Sequence, residues 1–107
     1  MKLLTKALRA KLEANAERPE KDHAPVVKFF GGGACTWLLT ELEGDRAFGL
    51  CDLGFGCPEL GYVSLRELES LRFPPFGLPI ERDRHFKADK TLSAYAEEAR
   101  MRGRIAA

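Results

Sequence analysis

Val26-Val27-Lys28-Phe29-Phe30, then Gly31-Gly32-Gly33, then Ala34-Cys35-Thr36-Trp37-Leu38-Leu39-Thr40-Glu41-Leu42 is the stretch that decides the fold. Its first five residues are β-branched or aromatic except for one lysine, a composition that suits a pleated, half-buried surface. The three glycines can take φ angles closed to other residues, so the chain can reverse there. Residues 34–42 then alternate, with Cys35, Trp37, Leu39 and Glu41 on one face and Thr36, Leu38, Thr40 and Leu42 on the other. Strand, turn, strand is the expected unit. A phosphate-binding loop would need a helix, not a second strand, after the glycines.

Working outward, Glu43-Gly44-Asp45-Arg46 supplies the next turn. Ala47 to Phe55 is expected as a third strand, with Phe48 and Leu50 opposite Cys51, Leu53 and Phe55. Gly54, Gly56 and Pro58 break that ladder, and Glu59-Leu60-Gly61-Tyr62-Val63 follows as a short edge strand. Ser64-Leu65-Arg66-Glu67 has the form of a capping box, in which the Ser64 hydroxyl and the Glu67 carboxylate each satisfy a free backbone N–H of a brief central helix. Phe73 to Pro79 is read as an extended apolar connector, and Ile80 to Phe86 as one more strand.

Helices bracket this sheet. Leu3 to Glu17 sets Leu4, Leu8 and Leu12 on one stripe, with Thr5 as N-cap and Arg18-Pro19 as the stop. Leu92, Tyr95, Ala96 and Ala99 repeat at helical spacing near the other end, with a Glu98 to Arg102 pair expected and Gly103 as the terminator. The fold class is α+β: an antiparallel meander of four to five strands packed with an N-terminal, a short central and a C-terminal helix. A length of 107 residues suits one core, so residues 1–107 are expected to form a single domain.

Apolar residues make up 45% of the chain and charged residues 31%, which excludes a disordered tail. No apolar run approaches the roughly 20 residues that cross a bilayer, and Met1 to Lys6 lacks the apolar stretch of a secretion signal, so a cytoplasmic location is expected. Three cysteines make a disulfide framework an unnatural reading. The formal net charge of +1 hides an acidic middle, since residues 35–71 hold seven acidic against two basic side chains. Net charge therefore does not point to nucleic acid as the partner, although the basic flanks keep that reading in view.

Histidine and cysteine side chains are the natural candidates for chemistry. A zinc site would have to gather His23, Cys35, Cys51, Cys57 and His85, but the five-residue gap between Cys51 and Cys57 is not a knuckle spacing. Cysteines at inward strand positions behave as small hydrophobes. A nucleophilic thiol at Cys51 or Cys57 with His85 as base is the enzymatic alternative. Against it, His85 sits in Arg82-Asp83-Arg84-His85-Phe86-Lys87, which reads as an exposed, charge-alternating segment. No metal, cofactor or catalytic residue is expected.

Met1-Lys2-Leu3-Leu4-Thr5-Lys6, Val26 to Phe30, Trp37, Glu59-Leu60-Gly61-Tyr62 and Gly77-Leu78-Pro79-Ile80-Glu81-Arg82-Asp83 occur in this order, and with them the chain resembles a family of small bacterial proteins known as a domain of unknown function. Members are often encoded on plasmids, prophages and integrative elements. The resemblance runs from Met1 to about Ala94, so the arginine-rich residues 100–107 are read as a basic C-terminal extension. It implies no catalytic residues. Together with small size, it implies a non-enzymatic protein-interaction module of a mobile element, of anti-CRISPR or anti-restriction type. Trp37, Glu59, Tyr62, Arg82 and Arg84 are the residues expected to face a partner protein, since Trp, Tyr and Arg are the usual anchors. A homodimer is compatible with this pattern.

Overall fold

A computed structural model describes residues 2–107. Helix α1 spans Lys6–Ala16, and strands β1 (Val27–Gly31), β2 (Cys35–Glu43), β3 (Arg46–Asp52) and β4 (Glu59–Ser64) form the expected meander. Helix α2 (Leu65–Ser70), the small hairpin β5 (Arg72–Phe73) and β6 (Leu78–Pro79), strand β7 (Glu81–Arg82) and helix α3 (Leu92–Arg102) complete the chain. The main sheet is antiparallel with order β4-β3-β2-β1-β7, so the last strand returns to pair beside the first. No helix among the described residues is long and apolar enough to cross a membrane.

Each face of the sheet carries a helix. On one, Leu12 of α1 packs with Leu3, Val27, Phe29, Trp37 and Leu39. On the other, Leu92, Tyr95, Ala96 and Ala99 of α3 pack on Leu38 and Leu50. The Leu92, Tyr95, Ala96, Ala99 stripe is the one the helical spacing predicts. Strands β2 and β3 sit close at Gly49, where an added Cβ would lie 2.0 Å from the Leu38 carbonyl oxygen.

One departure re-aims the core. The alternation expected along β2 places Leu42 with Thr36 and Leu38, but the pairing with β3 runs Leu39 to Gly49 and then Glu41 to Phe48. Thr40 is the extra residue of a β-bulge, which shifts the period by one. Leu42 consequently joins Trp37 and Leu39 on the α1 side. The bulge is held from outside the sheet: the Asn15 side-chain amide donates to the Thr40 carbonyl at 3.0 Å.

Other boundaries differ for local reasons. The third strand ends at Asp52, not Phe55, because the Asp52 carboxylate accepts the Gly54 amide at 2.9 Å and turns the chain. Leu53 and Phe55 therefore stand exposed. The strand expected from Ile80 to Phe86 is only Glu81–Arg82, since the Asp83 carboxylate accepts the His85 amide at 2.9 Å in a similar turn. Thr5 caps α1 as expected, accepting from the Leu8 amide at 3.2 Å. Glu98 pairs with Lys90 at 3.4 Å instead of with Arg102.

Residues 100–107 finish α3 and then fold back. Gly103 closes the helix at φ 74°, a left-handed conformation that glycine takes freely. Ile105 is buried beside α3, and its amide donates to Asp52 at 3.0 Å.

Candidate functional site

With a helix on each face, backbone groups open to further strand pairing are at the two edges of the sheet. The two edges differ. Strand β7 has two residues, both charged, and its ladder stops where the Asp83 amide donates to the Lys28 carbonyl at 2.9 Å. Strand β4 has six, of which Glu59 is the only charged one, and Leu60 and Tyr62 are exposed on it. Short charged edges resist further pairing, whereas a longer edge with apolar side chains invites it.

Tyr62 is the centre of this edge. It lies opposite Phe48 in the ladder, the two rings are 5.1 Å apart and tilted by 54°, and the Arg46 guanidinium stands 4.4 Å from the Tyr62 ring centroid. Arg46 also pairs with Glu43 at 3.4 Å across the β2–β3 turn. A tilted aromatic contact and a cation over the ring hold the side chain while leaving it 62% exposed.

The turn and α2 are joined through Asp45. Its carboxylate accepts the Arg66 amide at 2.8 Å and the Ser64 hydroxyl, and its carbonyl accepts the Leu65 amide at 2.9 Å. The Ser64 side chain in turn accepts the Glu67 amide at 3.1 Å, the half of the capping box that the sequence predicts. Asp45 takes the place expected for the Glu67 carboxylate. The Ser64 hydroxyl and then the Arg66 amide hold the Asp45 carboxyl below its ordinary pKa of 3.8.

Two recesses flank this edge. A groove of about 690 Å³ takes apolar lining from Trp37, Leu53, Val63, Leu68 and Leu71 and polar lining from Glu43, Asp45, Arg46, Ser64 and Glu67, with Tyr62 also bordering it. A hollow of about 250 Å³ lies among Ala16, Pro19, Glu41 and Phe48, and it shares Glu43, Arg46 and Tyr62 with the groove. Burial pushes the Glu41 carboxyl above its ordinary pKa of 4.5; His23 opposes the shift and Glu20 adds to it.

The five residues expected to face a partner do not form one surface. Tyr62 and Glu59 lie on β4, and Trp37, only 2% exposed, contributes to the groove from below instead of projecting. Arg82 and Arg84 belong to the far edge, with β3, β2 and β1 between. The Arg82 guanidinium donates to the Leu3 carbonyl and ties the N-terminal segment to β7, while Arg84 is exposed in the turn that follows. The recesses beside β4 also take in Glu41, Arg46, Leu53 and Leu71, which sequence reasoning does not single out. For Leu53 a signal existed, since Asp52 two residues before Gly54 is turn chemistry.

The cysteines and His85 are likewise dispersed. Cys51 is half-buried on β3, where burial pushes its thiol up to about 11, so it is a poor nucleophile at neutral pH. Cys57 is exposed in the loop before β4, and His85 lies beyond β7 at the opposite edge. Among the described residues, no three His, Cys, Asp or Glu side chains are placed to hold a metal ion.

No curated protein and no solved structure matches this chain. The match to a family described as protein of unknown function (DUF2958) covers residues 3–106, thus including most of the arginine-rich end, and the chain belongs to that family.

Proposed function

We propose that this protein is a non-enzymatic interaction module that receives a segment of a partner protein along β4. The contrast between the two sheet edges carries the reading: β7 is short and charged, whereas β4 is six residues long with Leu60 and Tyr62 exposed and, among the described residues, no strand beyond it. Strand addition to such an edge draws affinity from main-chain hydrogen bonds and specificity from recesses beside the strand. The groove bordered by Tyr62, Val63 and Ser64 of β4 supports that mode.

The resemblance to proteins of mobile elements makes a host defence complex, a CRISPR effector or a restriction enzyme, the first partner class to test. The experiment is affinity capture from host lysate with the wild-type chain and with a Leu60→Lys, Tyr62→Ser double variant, both positions being exposed enough to leave the core intact. The expected result is a protein retained by the wild type and lost with the variant. Repeated capture of nothing, or equal retention by both, overturns the reading.

A further inference from the structure

The short edge of the sheet has a chemistry of its own. Residues 35–71 hold seven acidic against two basic side chains, which leaves the two flanks of the sequence with fifteen basic against nine acidic. Pairing of Phe29 and Phe30 with Arg82 and Glu81 brings those flanks together at β7, with β2, β3 and β4 on the other side of β1. Because β7 is only two residues long, the Val26–Val27 end of β1 has no strand beside it there. Two recesses open at that gap and meet at Arg82 and Arg84. One, of about 140 Å³, is bordered by these arginines with Lys2, Leu3 and Glu81. The other, of about 230 Å³, takes apolar lining from Leu8, Val26, Val27 and Phe86, with Asp83 beside the arginines.

Charge does not cancel in the smaller recess. Three cations stand against Glu81, and among the described residues neither Lys2 nor Arg84 makes an ion pair. The Arg82 guanidinium donates to the Leu3 carbonyl, a contact that positions it and leaves its charge intact. Asp83 is already engaged, by Lys28 at 3.6 Å and by the His85 amide at 2.9 Å. Glu69 accepts the Leu3 amide at 2.9 Å and borders neither recess. Guanidinium and ammonium groups around a polar recess suit a phosphate, to which arginine offers paired donors. An adjoining apolar recess with an aromatic side chain suits a base, and a nucleotide carries both parts side by side. We propose that the β7 edge binds single-stranded nucleic acid, with a backbone phosphate at Lys2, Arg82 and Arg84 and the neighbouring base against Leu8, Val26 and Phe86. A single strand is required, because a base paired in a duplex must first be unstacked to enter a recess. The acidic residues of β2, β3 and β4 repel the strand and confine it to this edge. The site is separate from β4 and neither needs nor excludes the interaction proposed there.

The test is fluorescence anisotropy of a labelled oligothymidylate with the full chain across a salt series. Binding at low salt that weakens steeply as salt rises is expected. Lys2→Ala and Arg84→Ala, both at exposed positions, should each weaken binding by about three- to tenfold at low salt and reduce the salt slope by about 0.7, the share of one phosphate contact on a single strand. An abasic strand of the same length should bind at least about fivefold more weakly, since base stacking is lost. Arg100→Ala removes an exposed cation of α3 that borders neither recess, and it should leave the slope unchanged. No binding at low salt, a slope that neither Lys2→Ala nor Arg84→Ala lowers, or a slope lowered equally by Arg100→Ala overturns the proposal. Equal binding of the abasic strand or of a duplex does the same. Displacement of the strand by an equal charge of polyglutamate would give the edge to an acidic peptide, and thymidine monophosphate binding as tightly as the strand would give it to a free nucleotide. Either result also overturns the proposal. Capture of a partner protein through Leu60 and Tyr62 bears on the β4 reading alone.

Discussion

Asp52 and Ile105 lie 53 positions apart and are joined directly: the buried Asp52 carboxylate accepts the Ile105 amide at 3.0 Å. Its other oxygen accepts the Gly54 amide at 2.9 Å, so one side chain both ends β3 and anchors the residues after α3. Asp52→Ala would leave the Ile105 N–H without its acceptor in a buried place. A loss of about 2–3 kcal/mol is expected, read as a lower urea midpoint with an unchanged slope. Asp52→Asn, which keeps one acceptor oxygen, should lose less than Asp52→Ala.

Asn15 is the support of the bulge. Its amide satisfies the carbonyl of Thr40, a residue only 1% exposed. Asn15→Ala leaves that carbonyl unpaired and should cost about 1–2 kcal/mol in a thermal melt. Deleting Thr40 removes the extra residue, so that Leu39, Glu41 and Leu42 match Gly49, Phe48 and Ala47 one to one and Leu42 keeps its place beside Trp37 and Leu39. The expected outcome is a cooperative transition that survives at a lower midpoint, since the Asn15 bond to Thr40 is lost while the core face of β2 is kept.

Two helices take carboxylate caps from distant loops. Asp45 serves α2, and Asp22 serves α3, where Thr91 makes no side-chain capping bond and the Ser93 amide donates to Asp22 at 3.2 Å. Hydrogen bonds from Ser64 to Asp45 and from Ser93 to Asp22 lower both carboxyls from 3.8. A folded-state pKa below the unfolded one contributes stability above the unfolded value and loses it as pH falls through the folded value. The stability gap between wild type and Asp45→Asn should therefore hold steady from pH 7 down to about pH 5 and narrow below 3.8. Asp22→Asn should behave in the same way. Urea titrations across that range provide the check, and a gap that widens toward low pH would contradict the assignment.

The thiols should separate by reactivity. Cys57 is exposed, whereas Cys51 is half-buried with its thiol pushed up to about 11, and Cys35 is also raised, first by burial and then by the Asp52 charge. At mildly alkaline pH a disulfide reagent should modify Cys57 first, leaving Cys51 until denaturant is added. Cys57→Ser should remove the fast phase. A fast phase that survives that substitution would show that another thiol is open to solvent.

The linear order of residues determined what local physics controls. Alternation and the glycine run specify the β1–β2 hairpin, the Leu92 to Ala99 spacing specifies the buried stripe of α3, and Thr5 and Ser64 mark helix starts by short-range capping. Only the tertiary structure decided the rest. The placing of β7 beside β1 separates Arg82 and Arg84 from Tyr62, although all three share the same kind of side-chain signal. The bulge at Thr40 depends on Asn15 in a helix that precedes it by 25 positions, and the caps at Asp22 and Asp45 depend on which loop meets which helix. The physical reason is common to all of these. Period and turn chemistry act over a few residues, while the partners of a buried carbonyl, a carboxylate or a strand edge are set by which distant segments the packed core brings together.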